Sequence, residues 1–331
     1  MTLAENPLLF ALGANHEFAQ RIAFRLGLTI SPHEERDFEG GEHKTRPLVE
    51  VSGRNIFVVY SLHGEAGASA NDKLVRLLFF VGALRDAGAA RITIVAPYLA
   101  YSRKDRRTKP RDPVATRYVA QLMEAVSADS ILTVEVHNLS AFENAFRSCR
   151  PEHIATAGCF ADHIAGMAQE GEKFAVVSPD AGGNKRAELL RRMLEERLGQ
   201  PVMKGLMDKH RSSDVVSGTQ FVGDVAGCTA IIFDDIIASG TTILRAVDAS
   251  RQAGADRVIA AAAHARFTAQ SPLFGPGAPD LVLISDTIPL PAGLADKALS
   301  MIEVVEVSAL VGDVIGQIVS GDSVSDLLPY G

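Results

Sequence analysis

Two adjacent acids, Asp234 and Asp235, close an apolar run and are followed within a few residues by Ala238-Ser239-Gly240-Thr241-Thr242, where a helical pattern begins. Backbone N–H groups at a helix start, joined by Ser and Thr hydroxyls, suit a phosphate. The two carboxylates can accept hydrogen bonds from ribose hydroxyls or hold a hydrated Mg²⁺. The plainer alternative is a strand-to-turn junction capped by aspartates. Two acids followed by SGTT on a strand–loop–helix favour the ligand.

A second constellation is YSRKDRRTKPRD, residues 101–112, which carries Arg103, Lys104, Arg106, Arg107, Lys109 and Arg111 directly after an apolar run. A charge run is usually a solvated face. Six like charges in an otherwise acidic chain repel one another, and a polyanion such as a nucleoside triphosphate relieves that repulsion. A nucleic acid would fit locally, but the chain has no tryptophan and no aromatic stacking platform. His137 and Asp180 each end a strand-like run; they are either hydrogen-bonded structural residues or, as a pair, the partners of a metal–phosphate unit. Lys209 and Arg211, in MDKHRSSD, lie at the root of a long polar excursion. They are either part of an exposed basic loop or the means by which a mobile loop stabilises charge on a reacting phosphate.

The elements that must position these groups are readable from pattern. Apolar, β-branched runs recur at 55–62, 91–101, 129–137, 173–180, 228–235, 257–265 and 280–286. Runs with so little alternation belong to parallel strands covered on both faces. Helical periodicity occupies 73–88, 116–128, 184–199 and 241–255. Strand–helix alternation predicts an α/β fold. The pattern occurs twice, which predicts one domain over 1–150 and a second over 151–331, with Pro151 near the join. The candidate residues fall at the carboxyl ends of strands, where open α/β sheets bind ligands. The stretch 205–227 interrupts the alternation and is expected to be a functional loop or protruding hairpin. The tail, 301–328, reads as a strand, a helix and an extended piece.

Composition limits the function classes. Of 331 residues, 47% are hydrophobic and 22% charged, the make-up of a globular chain with a real core. The net charge of −7 argues against a general nucleic-acid binder. No apolar run approaches the ~20 residues that span a bilayer, and the first twenty residues lack the marks of a signal peptide. Cys149, Cys159 and Cys228 cannot all pair and are not at metal-ligand spacing, so a reducing cytoplasm is the expected setting.

Taken in order, the motifs resemble the ribose-phosphate diphosphokinases, also called phosphoribosyl-pyrophosphate synthetases. The likeness runs through FEGGE (38–42), NDKLVRLLFFVGALRDAGAARITIVAPYLAYSRKDRR, VEVHN, VSPDAGG (177–183), MDKHR, FDDIIASGTT and SVSDLL, nearly the whole chain. The resemblance implies two doubly wound parallel-sheet domains of phosphoribosyltransferase type with the active site between them. It implies transfer of the diphosphoryl group of Mg-ATP to the 1-hydroxyl of ribose 5-phosphate, with Mg²⁺ as cofactor and a homo-oligomer built from dimers, up to a hexamer. It assigns Phe38 and Glu42 to adenine recognition, Arg103 and Asp105 to ATP, and His137 and Asp180 to Mg-ATP. Lys209 and Arg211 match the catalytic pair, and Asp234, Asp235 and Ala238 to Thr242 match the ribose-5-phosphate site.

The chain also departs from the family pattern. Gly40 stands where an acid is usual, Lys104 replaces a glutamine, Glu135 an aspartate and Ala181 a histidine. The loop at 238–242 is tighter and closer to that of true phosphoribosyltransferases. Two further readings therefore stand beside the diphosphokinase: a phosphoribosyltransferase that uses phosphoribosyl pyrophosphate, and a non-catalytic regulatory homologue.

Overall fold

Strands that are apolar on both sides demand cover on both faces, and the chain meets this demand with two separate sheets. The computed structural model describes residues 7–13, 16–212, 215–325 and 327, apart from the side chains of 209–212 and 215–220.

The first unit begins with β1 (Leu8–Ala11) and α1 (His16–Leu26), then a ribbon of β2 (His33–Asp37) and β3 (His43–Pro47). It continues through β4 (Asn55–Val59), α2 (Ala70–Asp86), β5 (Arg91–Ala96), α3 (Ala115–Ala125), β6 (Ser130–Val134), α4 (Leu139–Glu143) and β7 (Arg150–Ile154). Its main sheet has the order β1-β4-β5-β6-β7, all parallel. The ribbon is separate and antiparallel. α2 starts earlier than its periodicity indicates because Ser69 and Asp72 form a reciprocal capping box. Phe10, Ile56, Val58, Leu77, Phe80 and Ile94 form the centre of one core layer.

The second unit contains α5 (Ala157–Met167), β8 (Phe174–Ser178), α6 (Asn184–Leu198), β9 (Met203–Ser212), β10 (Val215–Gly223) and β11 (Thr229–Ile237). It is completed by α7 (Thr241–Gln252), β12 (Arg257–Ala265), β13 (Leu281–Ser285), α8 (Asp296–Leu299) and β14 (Ile302–Val305). The sheet order is β10-β9-β8-β11-β12-β13-β14, parallel except for the β9–β10 pair. From β8 the chain crosses to β9 on one side, and later to β11 on the other. That reversal makes the carboxyl ends of β8 and β11 a topological switch point, where α/β sheets bind ligands. Two apolar layers, one around Phe160, Leu190 and Phe233 and one around Ile232, Ile243 and Val247, cover the two faces. The interruption at 205–227 is the β9–β10 hairpin.

The boundary expected at 150/151 falls elsewhere. Contacts divide the chain into Met1–Ile154 with Ser308–Pro329, and Ala155–Val307. Pro151 lies within β7, an edge strand, where a residue without an N–H is tolerated. The last helix, α9 (Ser308–Ser320), returns to the first unit. Its Val311, Val314 and Ile315 are fully buried, and its Asp313 pairs with Arg25 of α1 at 2.6 Å.

Ile315→Ala should therefore destabilise the first unit by about 2–5 kcal/mol, the usual cost of a large-to-small core change. Hydrogen exchange monitored by mass spectrometry is expected to show lost protection in α1, β1 and β4, with β8, β11 and β12 unchanged.

Candidate active site

In the second unit the acids sit inside a strand, not at its end: β11 runs on to Ile237, with Asp234 opposite Ala262 and Ile236 opposite His264. Alternation would send Asp234 and Asp235 to opposite faces, yet one guanidinium reaches both. Arg186 Nη1 donates to Asp234 Oδ1 at 3.0 Å and to Asp235 Oδ1 at 2.8 Å. Arg186 comes from the first turn of α6, and its role is absent from the motif reading. A cation in the first turn opposes the helix dipole, so KR at 185–186 was the available signal.

Two carboxyl groups share one guanidinium. Burial pushes the Asp234 carboxyl well above the usual aspartate range, the Asp235 carboxylate adds to the rise, and Arg186 opposes it. Its folded-state value thus exceeds the unfolded one. This carboxyl favours the folded state below the ordinary aspartate range, and that contribution is lost as pH rises through the raised value.

Asp180 follows β8 and orders the turn into α6: its Oδ1 accepts from the Gly183 N–H at 3.0 Å, and the Ser178 hydroxyl donates to its carbonyl at 2.6 Å. Asp180 and Asp234 flank Gly183, where an added Cβ would lie 3.8 Å from an oxygen of each. The loop after β11 is short. Gly240 takes φ 84°, and a Cβ there would meet Leu273 at 3.0 Å, so only glycine fits. Ser271 donates to the Ser239 carbonyl at 3.1 Å, and the hydroxyls of Ser239 and Thr241 lie 3.0 Å apart. Ser239, Thr241 and Thr242 are exposed at the start of α7, while Ala238 is half-buried. Asp180, Asp234, Asp235 and 238–242 therefore converge on the switch point. Lys209 and Arg211 belong to β9 by backbone, opposite Thr219 and Val216; their side chains lie outside the described residues.

In the first unit, the segment after β5 is held as a fixed turn. Tyr101 adopts a left-handed φ of 64°, its carbonyl accepts from the Thr116 hydroxyl at 2.9 Å, and its own hydroxyl donates to Asn71. Asp112 accepts from the Thr108 and Lys109 N–H groups at 3.1 and 2.9 Å. The six basic side chains of 103–111 are exposed and form no ion pair among the described residues. Asn138 donates to Asp105 Oδ2 at 2.7 Å, which joins the basic segment to the turn bearing His137. Glu135, just before that turn, is buried with φ 42°, a strained conformation for a non-glycine residue.

Phe38 and Glu42 stand at the tip of the β2–β3 ribbon, where the Phe38 N–H donates to the Glu42 carbonyl at 2.8 Å. Arg36 stacks over the Phe38 ring at 5.0 Å. Gly40 and Gly41 take φ 86° and 90°, and this turn gives a reason for the missing acid at Gly40. No hydrogen bond or ion pair among the described residues joins this tip to Arg103 or Asp105.

The site geometry and sheet order define a phosphoribosyltransferase-type α/β protein. Residues 8–126 match the N-terminal domain of ribose phosphate pyrophosphokinase, and 194–329 the phosphoribosyl synthetase-associated domain. Ribose-phosphate pyrophosphokinase 1 of Streptococcus pneumoniae serotype 4 is 31% identical over 317 residues, covering 94% of this chain and 93% of that protein. The enzyme of the same name from Streptococcus pyogenes serotype M1 is 31% identical over 330 residues, 98% of each chain. The crystal structure of phosphoribosylpyrophosphate synthetase from Mycobacterium smegmatis superposes with a TM-score of 0.83 at 29% identity, covering 96% of this chain and all of that one. The chain belongs to the ribose-phosphate pyrophosphokinase family.

Removing Arg186 takes away the guanidinium that both acids share. Arg186→Met should cost about 3–5 kcal/mol near neutral pH, the penalty for an uncompensated buried charge. The Tm gap from the parent should narrow as pH falls from about 8 to about 5, because a protonated pair has less need of the guanidinium.

Proposed function

We propose that the chain transfers the β,γ-diphosphoryl group of Mg-ATP to the 1-hydroxyl of ribose 5-phosphate, giving phosphoribosyl pyrophosphate and AMP. The observation that carries this reading is the pairing of Asp234 and Asp235 with the 238–242 loop at the switch point, in a chain that matches ribose-phosphate pyrophosphokinases end to end. The loop and the α7 N-terminus take the 5-phosphate, and the carboxylates accept the ring hydroxyls. Nucleotide phosphates lie against Arg103 and its basic neighbours, with Phe38 and Glu42 recognising adenine. The ribose oxygen bonds to the β-phosphorus as the bond to the bridging oxygen of AMP breaks. Lys209 and Arg211 stabilise the charge that develops on the diphosphoryl and leaving oxygens. No covalent nucleophile is needed.

Mg²⁺ fits the donor set. No group of three or more His, Cys, Asp or Glu is arranged to hold a metal among the described residues. A cation bound mainly by substrate phosphates and water needs only one or two carboxylates. The second oxygen of Asp180 has no hydrogen bond among the described residues, so Asp180 would offer it to the ion; His137 is assigned to Mg-ATP in the same reading. When bound, Mg²⁺ supplies charge neutralisation on the phosphates.

Homo-oligomer formation from dimers, up to a hexamer, is part of the same reading. Val75 and Phe79 on α2, and Tyr118 and Leu122 on α3, are exposed as one-turn pairs, as expected of covered surface in an assembly. A cytoplasmic setting is supported by three free cysteines; burial pushes the Cys149 thiol up to about 12 and that of Cys159 to about 11, so neither is reactive. No helix of the described residues is long and apolar enough to cross a membrane. The transferase and regulatory alternatives are not favoured, since the family match includes the nucleotide half of the chain.

The test is AMP formation from Mg-ATP and ribose 5-phosphate. Lys209→Ala and Arg211→Ala should each lower kcat by about 10²–10³, the loss typical of a removed transition-state donor. AMP no higher than in the Lys209→Ala control would overturn the reading, and pyrophosphate release from phosphoribosyl pyrophosphate with a base acceptor would point to the transferase.

A further inference from the structure

The β2–β3 ribbon carries Phe38 and Glu42 at its tip, and the face it turns toward its own unit is polar. On β2, alternation separates His33, Glu35 and Asp37 from Glu34 and Arg36; across the ribbon, Asp37 faces His43 and Glu35 faces Thr45. The outer side is an ordinary solvated one, with Glu34 paired to Arg46 and, at 3.7 Å, to Lys44.

The inner side is packed. The His33 ring lies edge-on to Phe10 at 6.2 Å and tilted against Phe80 at 5.6 Å. Glu35 accepts from the Gly13 N–H at 3.0 Å and lies 3.5 Å from His33 Nε2. The His43 side chain is only 7% exposed, with Nδ1 2.9 Å from Asp37 Oδ1 and Nε2 3.7 Å from Glu35. The same Asp37 oxygen accepts from Arg76 Nη2 of α2 at 2.7 Å. Arg76 is also hydrogen-bonded to Tyr60, whose ring faces the buried Lys73 Nζ at 5.5 Å; Lys73 in turn pairs with Glu65 at 2.6 Å. A chain of polar contacts thus runs from the ribbon into the first unit's core.

A two-stranded ribbon is marginal by itself and needs a surface to lean on. Apart from the His33 ring on Phe10 and Phe80, this one leans on directional tethers. The tether nearest the tip is Asp37, which directly precedes Phe38. An exposed ion pair contributes little and the Asp37 side chain is 65% exposed, but Arg76 is only 19% exposed and the same carboxylate is also held by the buried His43.

We propose that Arg76 is a positioning residue for nucleotide recognition: through Asp37 it fixes the tip bearing Phe38 and Glu42. The inference rests on the reading of that tip as the adenine-recognising element. Without the tether, the tip must be ordered at the moment of binding. Arg76→Ala should then raise the KM for ATP about tenfold, in line with the cost of immobilising one or two side chains.

Two experiments test this on the full chain. In steady-state kinetics, Arg76→Ala and Asp37→Ala should each raise the KM for ATP. The double variant should raise it no further, kcat and the KM for ribose 5-phosphate should stay within about twofold, and Arg76→Lys should restore part of the affinity. An unchanged KM for ATP, equal losses for both substrates, or multiplying effects in the double variant would overturn the proposal. Phe38→Ala separates the two levels. If it leaves the KM for ATP unchanged, the tip is not the nucleotide element and both readings fall; if it raises that KM while Arg76→Ala does not, only the tether falls. The second experiment needs no turnover. The chain has no tryptophan, so Phe38→Trp places a single fluorophore at the tip. Its anisotropy should drop when Arg76→Ala is added and recover with Arg76→Lys; an unchanged anisotropy would refute the tether even if Arg76→Ala proved unstable in the kinetic assay.

Discussion

One guanidinium facing two carboxylates is the constraint around which the second unit is arranged. Arg186 is shared by Asp234 and Asp235, and burial together with the neighbouring carboxylate holds the Asp234 carboxyl toward its protonated form. Ionising both acids is costly unless a hydroxyl donor or a cation completes them. A few residues on, the start of α7 presents N–H groups and hydroxyls with the opposite preference. The site is therefore polarised over a short length of chain, with hydroxyl donors or a cation favoured at one end and a phosphate at the other. A sugar phosphate has this polarity, and a free base or a simple anion does not.

The first unit carries the converse imbalance. Its basic segment forms no ion pair among the described residues, and the local hydrogen bonds of Asp112, Thr116 and Asn138 fix the backbone while leaving the charges outward. Tyr101 and Glu135 hold left-handed backbone after β5 and β6, as Arg111 does farther along the basic segment and Ser127 after α3.

The elements with strong periodicity were legible in the sequence: the central strands, α2, α3, α6 and α7 all occur close to their expected places. So were the acids and the SGTT loop, because strand and helix patterns bracket them. What was not legible depends on partners far along the chain. The β2–β3 ribbon has no apolar alternation, since its inner face is His, Glu and Asp, and so gave no strand pattern. β7 was hidden by Pro151, which reads as a boundary but is tolerated on an edge. α9 is readable as a helix from its apolar stripe, but nothing local says which sheet that stripe will cover. Arg186 looked like one more charge on a polar helix until β11 supplied its two acids.

The tight 238–242 loop made a transferase the natural rival, and the structure clarifies why that loop cannot decide between them. Making and consuming phosphoribosyl pyrophosphate both require the same 5-phosphoribosyl group to be held, so a loop that suits a sugar phosphate is compatible with either reaction. Gly240 is constrained by its φ and by Leu273, which are matters of local packing and not of donor choice. The discrimination must lie in whatever handles the second substrate. A base acceptor has no use for a row of uncompensated cations, whereas a nucleoside triphosphate brings several negative charges that the row can offset. The residues that look least like a transferase are thus the informative ones, and they lie in the first unit, in the basic segment and the polar-docked ribbon.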